Sequence, residues 1–128
     1  MKITNFKQLN SWQQSHFLVL TIYKISSTFP KQEQFGLTNQ IRRAAVSITS
    51  NIAEGFGRIG KKEKQHFFQI ALGSLNEVES QLEIAKDLRY INSKTYQQTL
   101  VHVQTSSKLL SGLIRSTKQN YKLPATSY

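Results

Sequence analysis

The segment Gly55-Phe56-Gly57-Arg58-Ile59-Gly60-Lys61-Lys62 comes closest to a site of chemistry in this chain. Gly55, Gly57 and Gly60 are spaced as in a dinucleotide-binding turn, and Gly55, Gly60 and Lys61 as in a phosphate-binding loop. Both devices need a β-strand leading into the glycines, because strand end and helix N-terminus together hold the phosphate. The residues before Gly55 have helical spacing instead, and Lys62 stands where a Mg²⁺-binding hydroxyl is required. The segment therefore reads as a glycine-rich turn that ends one helix and starts the next. Arg58, Lys61, Lys62 and Lys64 surround that start, whose unpaired N–H groups favour an anion.

Other chemistry is sparse. His16, His66 and His102 fall on three separate helical segments, without the spacing of metal ligands. His16 lies on an apolar seam and is expected to be a hydrogen-bonded core histidine. The acids gather at Glu77, Glu79, Glu83 and Asp87, without the Glu-x-x-His pairs of a di-metal bundle. Glu83 and Asp87 are expected to pair with Lys86 or Arg89. Arg42, Arg43, Asn51, Glu54 and Glu77 lie near core edges, and some of them are expected to form a polar network between the second and third helices. With no cysteine there is no disulfide, thiolate zinc site or Cys nucleophile, which fits a reducing cytoplasm. No catalytic, metal-binding or cofactor-binding residue is assigned, and the chain reads as non-enzymatic.

Charge is the stronger signal. The formal net charge is +10 over 128 residues. Residues 1–60 and 91–128 each carry an excess of five positive charges, while residues 61–90 are neutral. Such an excess favours polyanions, RNA or DNA before acidic proteins. Lys94, Lys108, Arg115 and Lys122 recur at multiples of seven, with Lys118 alongside, and form a basic stripe that can follow a phosphate backbone. The aromatic residues do not interleave with these cations as a base-stacking platform, so sequence-specific readout is not indicated.

The elements that position these residues are helices. Pro30, the glycine cluster and Tyr90-Ile91-Asn92-Ser93 divide the chain into four. The first should span Asn10 to Thr28, capped by Asn10 or Ser11; the second Thr38 to Glu54; the third Lys61 to Leu88; the fourth Ser93 to Tyr121. Apolar residues at alternating three- and four-residue spacing predict an all-α, up-down-up-down antiparallel four-helix bundle. It forms a single domain over residues 1–122, with 123–128 as a flexible tail. The first helix has two apolar seams: Leu9, Trp12, His16, Val19 and Tyr23 on one side, and Leu18, Ile22, Ile25 and Phe29 on the other. A lone bundle covers one of them, so the second seam is expected to be the interface of a homo-oligomer. The longest apolar run, Phe17 to Leu20, is far too short for a membrane span, and the N-terminus has no signal-like apolar stretch.

The blocks Arg42-Arg43-Ala44-Ala45-Val46-Ser47-Ile48, Ser50-Asn51-Ile52-Ala53-Glu54-Gly55 and Ala71-Leu72-Gly73-Ser74-Leu75-Asn76-Glu77 have a recognisable combination. With Asn5-Phe6-Lys7-Gln8-Leu9 and Phe29-Pro30-Lys31 they resemble a bacterial four-helix bundle family. That family is named for proteins encoded in intervening sequences of large-subunit ribosomal RNA genes. The resemblance spans roughly residues 5–115 and implies a ring-like homopentamer. It departs from the family's usual pattern at Thr49, often Pro, and at Gly60, often a capping Ser. At fold level the chain is also similar to the accessory protein of diversity-generating retroelements, a basic pentamer that binds nucleic acid and a reverse transcriptase. The residues and the resemblance together give the expectation of a basic oligomeric bundle that binds RNA or other nucleic acid. The alternative is a scaffold that recruits a partner enzyme such as a reverse transcriptase.

Overall fold

A computed structural model describes residues 2–119. Lys122 and the expected tail lie outside the described residues. The chain opens with a 3-10 turn, Phe6–Gln8, closed by a capping box. Asn5 Oδ1 accepts the Lys7 N–H at 2.9 Å, and Gln8 Oε1 accepts the Asn5 N–H at 3.0 Å. This turn takes the cap expected at Asn10 or Ser11. Helix α1, Asn10–Ser26, follows from the buried Leu9 with no side-chain cap of its own.

Arg42 closes the far end of α1. It donates to Ser26 Oγ at 2.8 Å and to the Tyr23 carbonyl at 3.3 Å, and lies over the Tyr23 ring. Helix ends leave carbonyls short of donors, and a guanidinium from the next helix reaches one carbonyl and one side-chain hydroxyl of the last turn at once. Helix α2, Leu37–Gly57, is capped by Glu33: the Leu37 N–H donates to Oε1 at 3.1 Å, and the Tyr90 hydroxyl donates to Oε2 at 2.8 Å. One carboxylate thus joins the α1–α2 loop to the α3–α4 loop. A Cβ on Gly36 would stand 2.8 Å from that same Oε1, so the cap needs glycine there.

Helix α3, Lys61–Asp87, ends with the Tyr90 N–H bonded to the Ala85 carbonyl and the Arg89 N–H to that of Lys86. This double closure puts Arg89 at φ 62, in the left-handed region that glycine usually fills. Helix α4, Ser93–Gln119, is capped by Asn92, whose Oδ1 accepts the Thr95 N–H at 2.8 Å.

Contacts between helices fix their directions. Ser74 donates to Ser47 at 2.8 Å, Tyr96 donates to Glu83 at 3.3 Å, and the rings of Phe17 and His102 meet at 4.8 Å. Each helix touches its chain neighbours, and α1 returns to α4. The result is the expected up-down-up-down bundle. Ile41, Ala45, Ile48 and Ile52 of α2 join Phe68, Ala71, Leu75, Val78 and Leu82 of α3 in one core. Each such Leu or Ile contributes about 1.5–3 kcal/mol through burial. The expected α2–α3 polar network is narrower than anticipated: Asn51 donates to Ser47, which accepts from Ser74, while Glu54 turns to Arg58.

The second seam of α1 faces inward, contrary to expectation, while the first is split: Leu9 is buried, Trp12 and Val19 pack against the core, and His16 and Tyr23 are exposed. Leu18 and Ile22 are completely buried, Phe29 is buried and Ile25 half-buried, all within this chain. The residues assigned to the oligomer interface therefore belong mainly to the bundle's own core. Ser11, Ser15 and Ser26 complete that inward stripe; they are small enough for α1 to approach its neighbours closely, and their hydroxyls hide the stripe from an apolar count. Ser11, Ser15 and Ser106 of α4 have buried hydroxyls without a partner among the described residues. His16 is not a core histidine either: it is exposed and stacks on Trp12 at 4.7 Å. Phe17, Leu20 and Tyr23, each 42% exposed or more, form the outward side of α1.

Candidate nucleic-acid interface

Helix α2 does not stop before the glycines. It continues to Gly57, and only Arg58–Gly60 form the turn. Gly55 is helical and buried against Phe68, where a Cβ would stand 2.6 Å from ring atom Cε1. Its glycine serves helix packing, which removes the first member of both phosphate-loop patterns.

The turn's four cations divide into two pairs. Arg58 donates to Glu54 Oε1 at 2.6 Å, approaches Glu63 Oε2 at 3.4 Å, and lies 4.8 Å from the Phe67 ring centre. Lys64 is half-buried and donates to the carbonyls of Phe56 at 2.8 Å and Gly55 at 3.3 Å, capping α2; burial pushes its ammonium below the ordinary 10.5. Both are engaged inside the chain and brace the turn. Lys61 and Lys62 are exposed, and no carboxylate among the described residues pairs with either.

The bundle's topology brings other cations to this end. α3 leaves the turn and α4 returns antiparallel, so the last turns of α4, with Arg115 and Lys118, lie at the same end as Lys61 and Lys62. The start of α1 is there too, preceded by Lys2 and Lys7. Glu54 and Glu63 are the carboxylates at this end among the described residues, and Arg58 takes both. The remaining acids, Glu33 and Glu77 through Asp87, lie toward the opposite end, where Lys86 pairs with Glu83 and approaches Asp87. Lys94 is exposed but opens α4 at that opposite end, about 30 Å from Arg115 at 1.5 Å per residue. The helix 4 stripe therefore divides: Lys108, Arg115 and Lys118 extend the basic end, and Lys94 does not.

Three features escaped the sequence reading. Lys2 and Lys7 belong to the basic end through topology alone. Ile59, at the tip of the turn, is 98% exposed. A separate groove of about 610 Å³ runs between α1 and α4, with Phe17, Val101 and His102 at one end and Lys24 and Thr95 toward the other. Among the described residues no cluster of His, Cys, Asp or Glu is placed to hold a metal ion, and no helix is long and apolar enough to cross a membrane.

No curated protein matches the chain. A solved structure from Bacteroides thetaiotaomicron, a protein of unknown function from the S23 ribosomal protein family, superposes with a TM-score of 0.76. It is 25% identical, and the match covers 82% of this chain and 98% of that one. The family of 23S rRNA-intervening sequence proteins matches residues 7–112, which include α1, α2, α3 and most of α4. With the fold, the RRAAVSI and ALGSLNE blocks and that span in agreement, the chain belongs to the 23S rRNA-intervening sequence protein family.

Proposed function

We propose that this protein is a non-enzymatic, homo-oligomeric bundle that binds RNA or other nucleic acid through its basic end. The observation that carries this reading is the convergence of Lys61 and Lys62 with Arg115 and Lys118 at one end of the bundle, where Glu54 and Glu63 are the carboxylates among the described residues and both meet Arg58. Positive charge gathered at one end, rather than spread over the surface, attracts a polyanion and releases its counterions. Oligomerisation is supported by the outward side of α1, where Phe17, Leu20 and Tyr23 leave apolar area that the chain does not cover. A ring of five, as the family resemblance implies, multiplies weak phosphate contacts by avidity.

The test is a set of RNA-binding isotherms at several salt concentrations. The slope of log affinity on log salt should steepen by about 0.7 per phosphate contacted on single strands and about 0.9 on duplex DNA. Replacing Lys61, Lys62, Arg115 and Lys118 with Gln should flatten it, and Lys94→Gln should change it little. Absence of binding at low salt overturns the proposal.

The scaffold reading rests on a different surface, the α1–α4 groove with half-exposed Phe17 and Val101 at its mouth. Loss of a partner protein's binding on Val101→Glu, with RNA affinity unchanged, would favour it.

A further inference from the structure

The tip of the α2–α3 turn combines features that the fold does not explain. Ile59 is 98% exposed, the most exposed of the large apolar side chains described. It is followed directly by Gly60 and preceded, two residues earlier, by Gly57. Glycine at such places usually answers a positive φ or a steric conflict. Neither applies: no described glycine has a positive φ, and a Cβ at Gly57 or Gly60 would meet nothing within 4 Å. What the two glycines do is keep the backbone beside Ile59 bare, so the tip is narrow. Gly60 is the N-cap of α3, a position that suits glycine; Gly57 has no such role, and a glycine without an internal reason fits close approach to something outside the chain.

The tip is also held firmly. Arg58 is fixed by Glu54, Glu63 and the Phe67 ring, and Lys64 ties the start of α3 to the last carbonyls of α2. An exposed apolar side chain on a braced turn does not lose much freedom on binding. Lys61 and Lys62 open α3 immediately after it, exposed and unpaired among the described residues. This charge selects the occupant: an apolar tip beside two cations suits a surface that is apolar within and anionic at its edges. A stacked base step between its phosphates has that form. Aliphatic side chains serve as wedges of this kind, partly unstacking a step and kinking the helix axis.

We propose that Ile59 is a wedge that inserts at a weakened base step of paired nucleic acid while Lys61 and Lys62 hold the adjoining phosphates. This rests on the nucleic-acid reading above and adds what part of the nucleic acid is engaged. Steps beside a bulge or mismatch are the preferred targets, because part of their stacking is already lost.

The experiment uses the full chain with two short duplexes, one fully paired and one with a single-nucleotide bulge, each carrying 2-aminopurine at the central step. RNA and DNA versions distinguish the two backbones. The wild type should bind the bulged duplex about tenfold more tightly and raise 2-aminopurine fluorescence on binding; a change of that size fits a few apolar carbons gaining contact. Ile59→Ala should remove both the preference and the fluorescence rise while leaving the salt slope intact. Gly57→Ala should weaken the preference without lowering thermal stability. Lys61→Gln with Lys62→Gln should flatten the salt slope but retain the fluorescence rise at saturation. If Ile59→Ala keeps the preference and the signal, or if it changes the molecular mass and so marks a subunit contact, the wedge is rejected. Normal salt-dependent binding without bulge preference or fluorescence rejects the wedge and leaves the broader reading standing. No binding at all removes both.

Discussion

Gly55 lies against Phe68 with so little room that a methyl group there would stand 2.6 Å from the ring. The contact joins the last turn of α2 to the second turn of α3 and brings the two backbones together just behind the basic turn. Gly55→Ala sets two effects against each other. Helix propensity favours Ala by up to about 1 kcal/mol, whereas overpacking a core costs about 1–3 kcal/mol. Phe68 is 2% exposed and cannot swing into solvent, so the loss should win. Urea denaturation should show Gly55→Ala destabilised, with part of the loss recovered by adding Phe68→Leu.

Arg89 gives the opposite case. It holds a left-handed conformation at φ 62 and its side chain is exposed. An L-residue there costs about 1–2 kcal/mol, partly offset by the greater chain entropy that Gly loses on folding. Arg89→Gly should raise stability by about 0.5–1 kcal/mol in the same urea measurement. A decrease would show that Arg89 contributes through its side chain.

Glu33 links stability to pH. The Leu37 N–H, and then the Tyr90 hydroxyl, hold its carboxyl below the ordinary 4.5. A carboxyl with a depressed value in the folded state contributes stability above its unfolded value and loses it as pH falls through the folded one. Wild-type stability should therefore fall on acidification below pH 4.5, with Glu83 adding a similar trend because Lys86 holds it low. Glu33→Gln should start less stable at neutral pH and lose less between there and about pH 3. Equal losses in the two proteins would remove Glu33 from the acid transition.

The outward and inward sides of α1 can be told apart by two substitutions within one turn. Leu20 is 57% exposed and Ile22 is completely buried. Leu20→Glu should lower the mass seen by light scattering while helix content by circular dichroism is kept. Ile22→Glu buries an unpaired charge, at a cost of about 3–5 kcal/mol, and should unfold the chain. An unchanged mass for Leu20→Glu would place the subunit contact elsewhere.

Added ATP and Mg²⁺ should leave the melting temperature unchanged, because Gly55 serves packing and a helix leads into the turn. A saturable rise would restore the phosphate-loop reading, since a ligand bound by the native state raises its stability.

Much of the bundle could be read from spacing alone. The starts of α3 at Lys61 and α4 at Ser93 agree with expectation, because Gly60 and Asn92 are strong boundary residues. α2 overran its expected end because Gly55 looked like a terminator, whereas its lack of a side chain answers Phe68. The choice between the α1 seams failed because Ser11 and Ser15 complete the buried stripe without counting as apolar, while Phe17 and Leu20, which belong to neither seam, form much of the outward side. The basic end was only half legible. Lys61 and Lys62 stand out in sequence, but their meeting with Arg115 and Lys118 depends on the direction of α4. Arg58 and Lys64 resembled ligands until their partners, Glu54 and the Phe56 carbonyl, were located.

The unpartnered hydroxyls of Ser11, Ser15 and Ser106 have a kinetic consequence. Each costs about 1–3 kcal/mol while it stays buried, and water relieves that cost as soon as α1 lifts away. α2 and α3 supply more than half of the buried apolar residues, whereas α1 supplies Leu18 and Ile22. α1 should then be the first cooperative unit to open: its amide protons should exchange with solvent deuterium at a lower free energy than those of α2 and α3. Two copies opened in this way could trade their first helices, which gives the bundle a route into domain-swapped dimers.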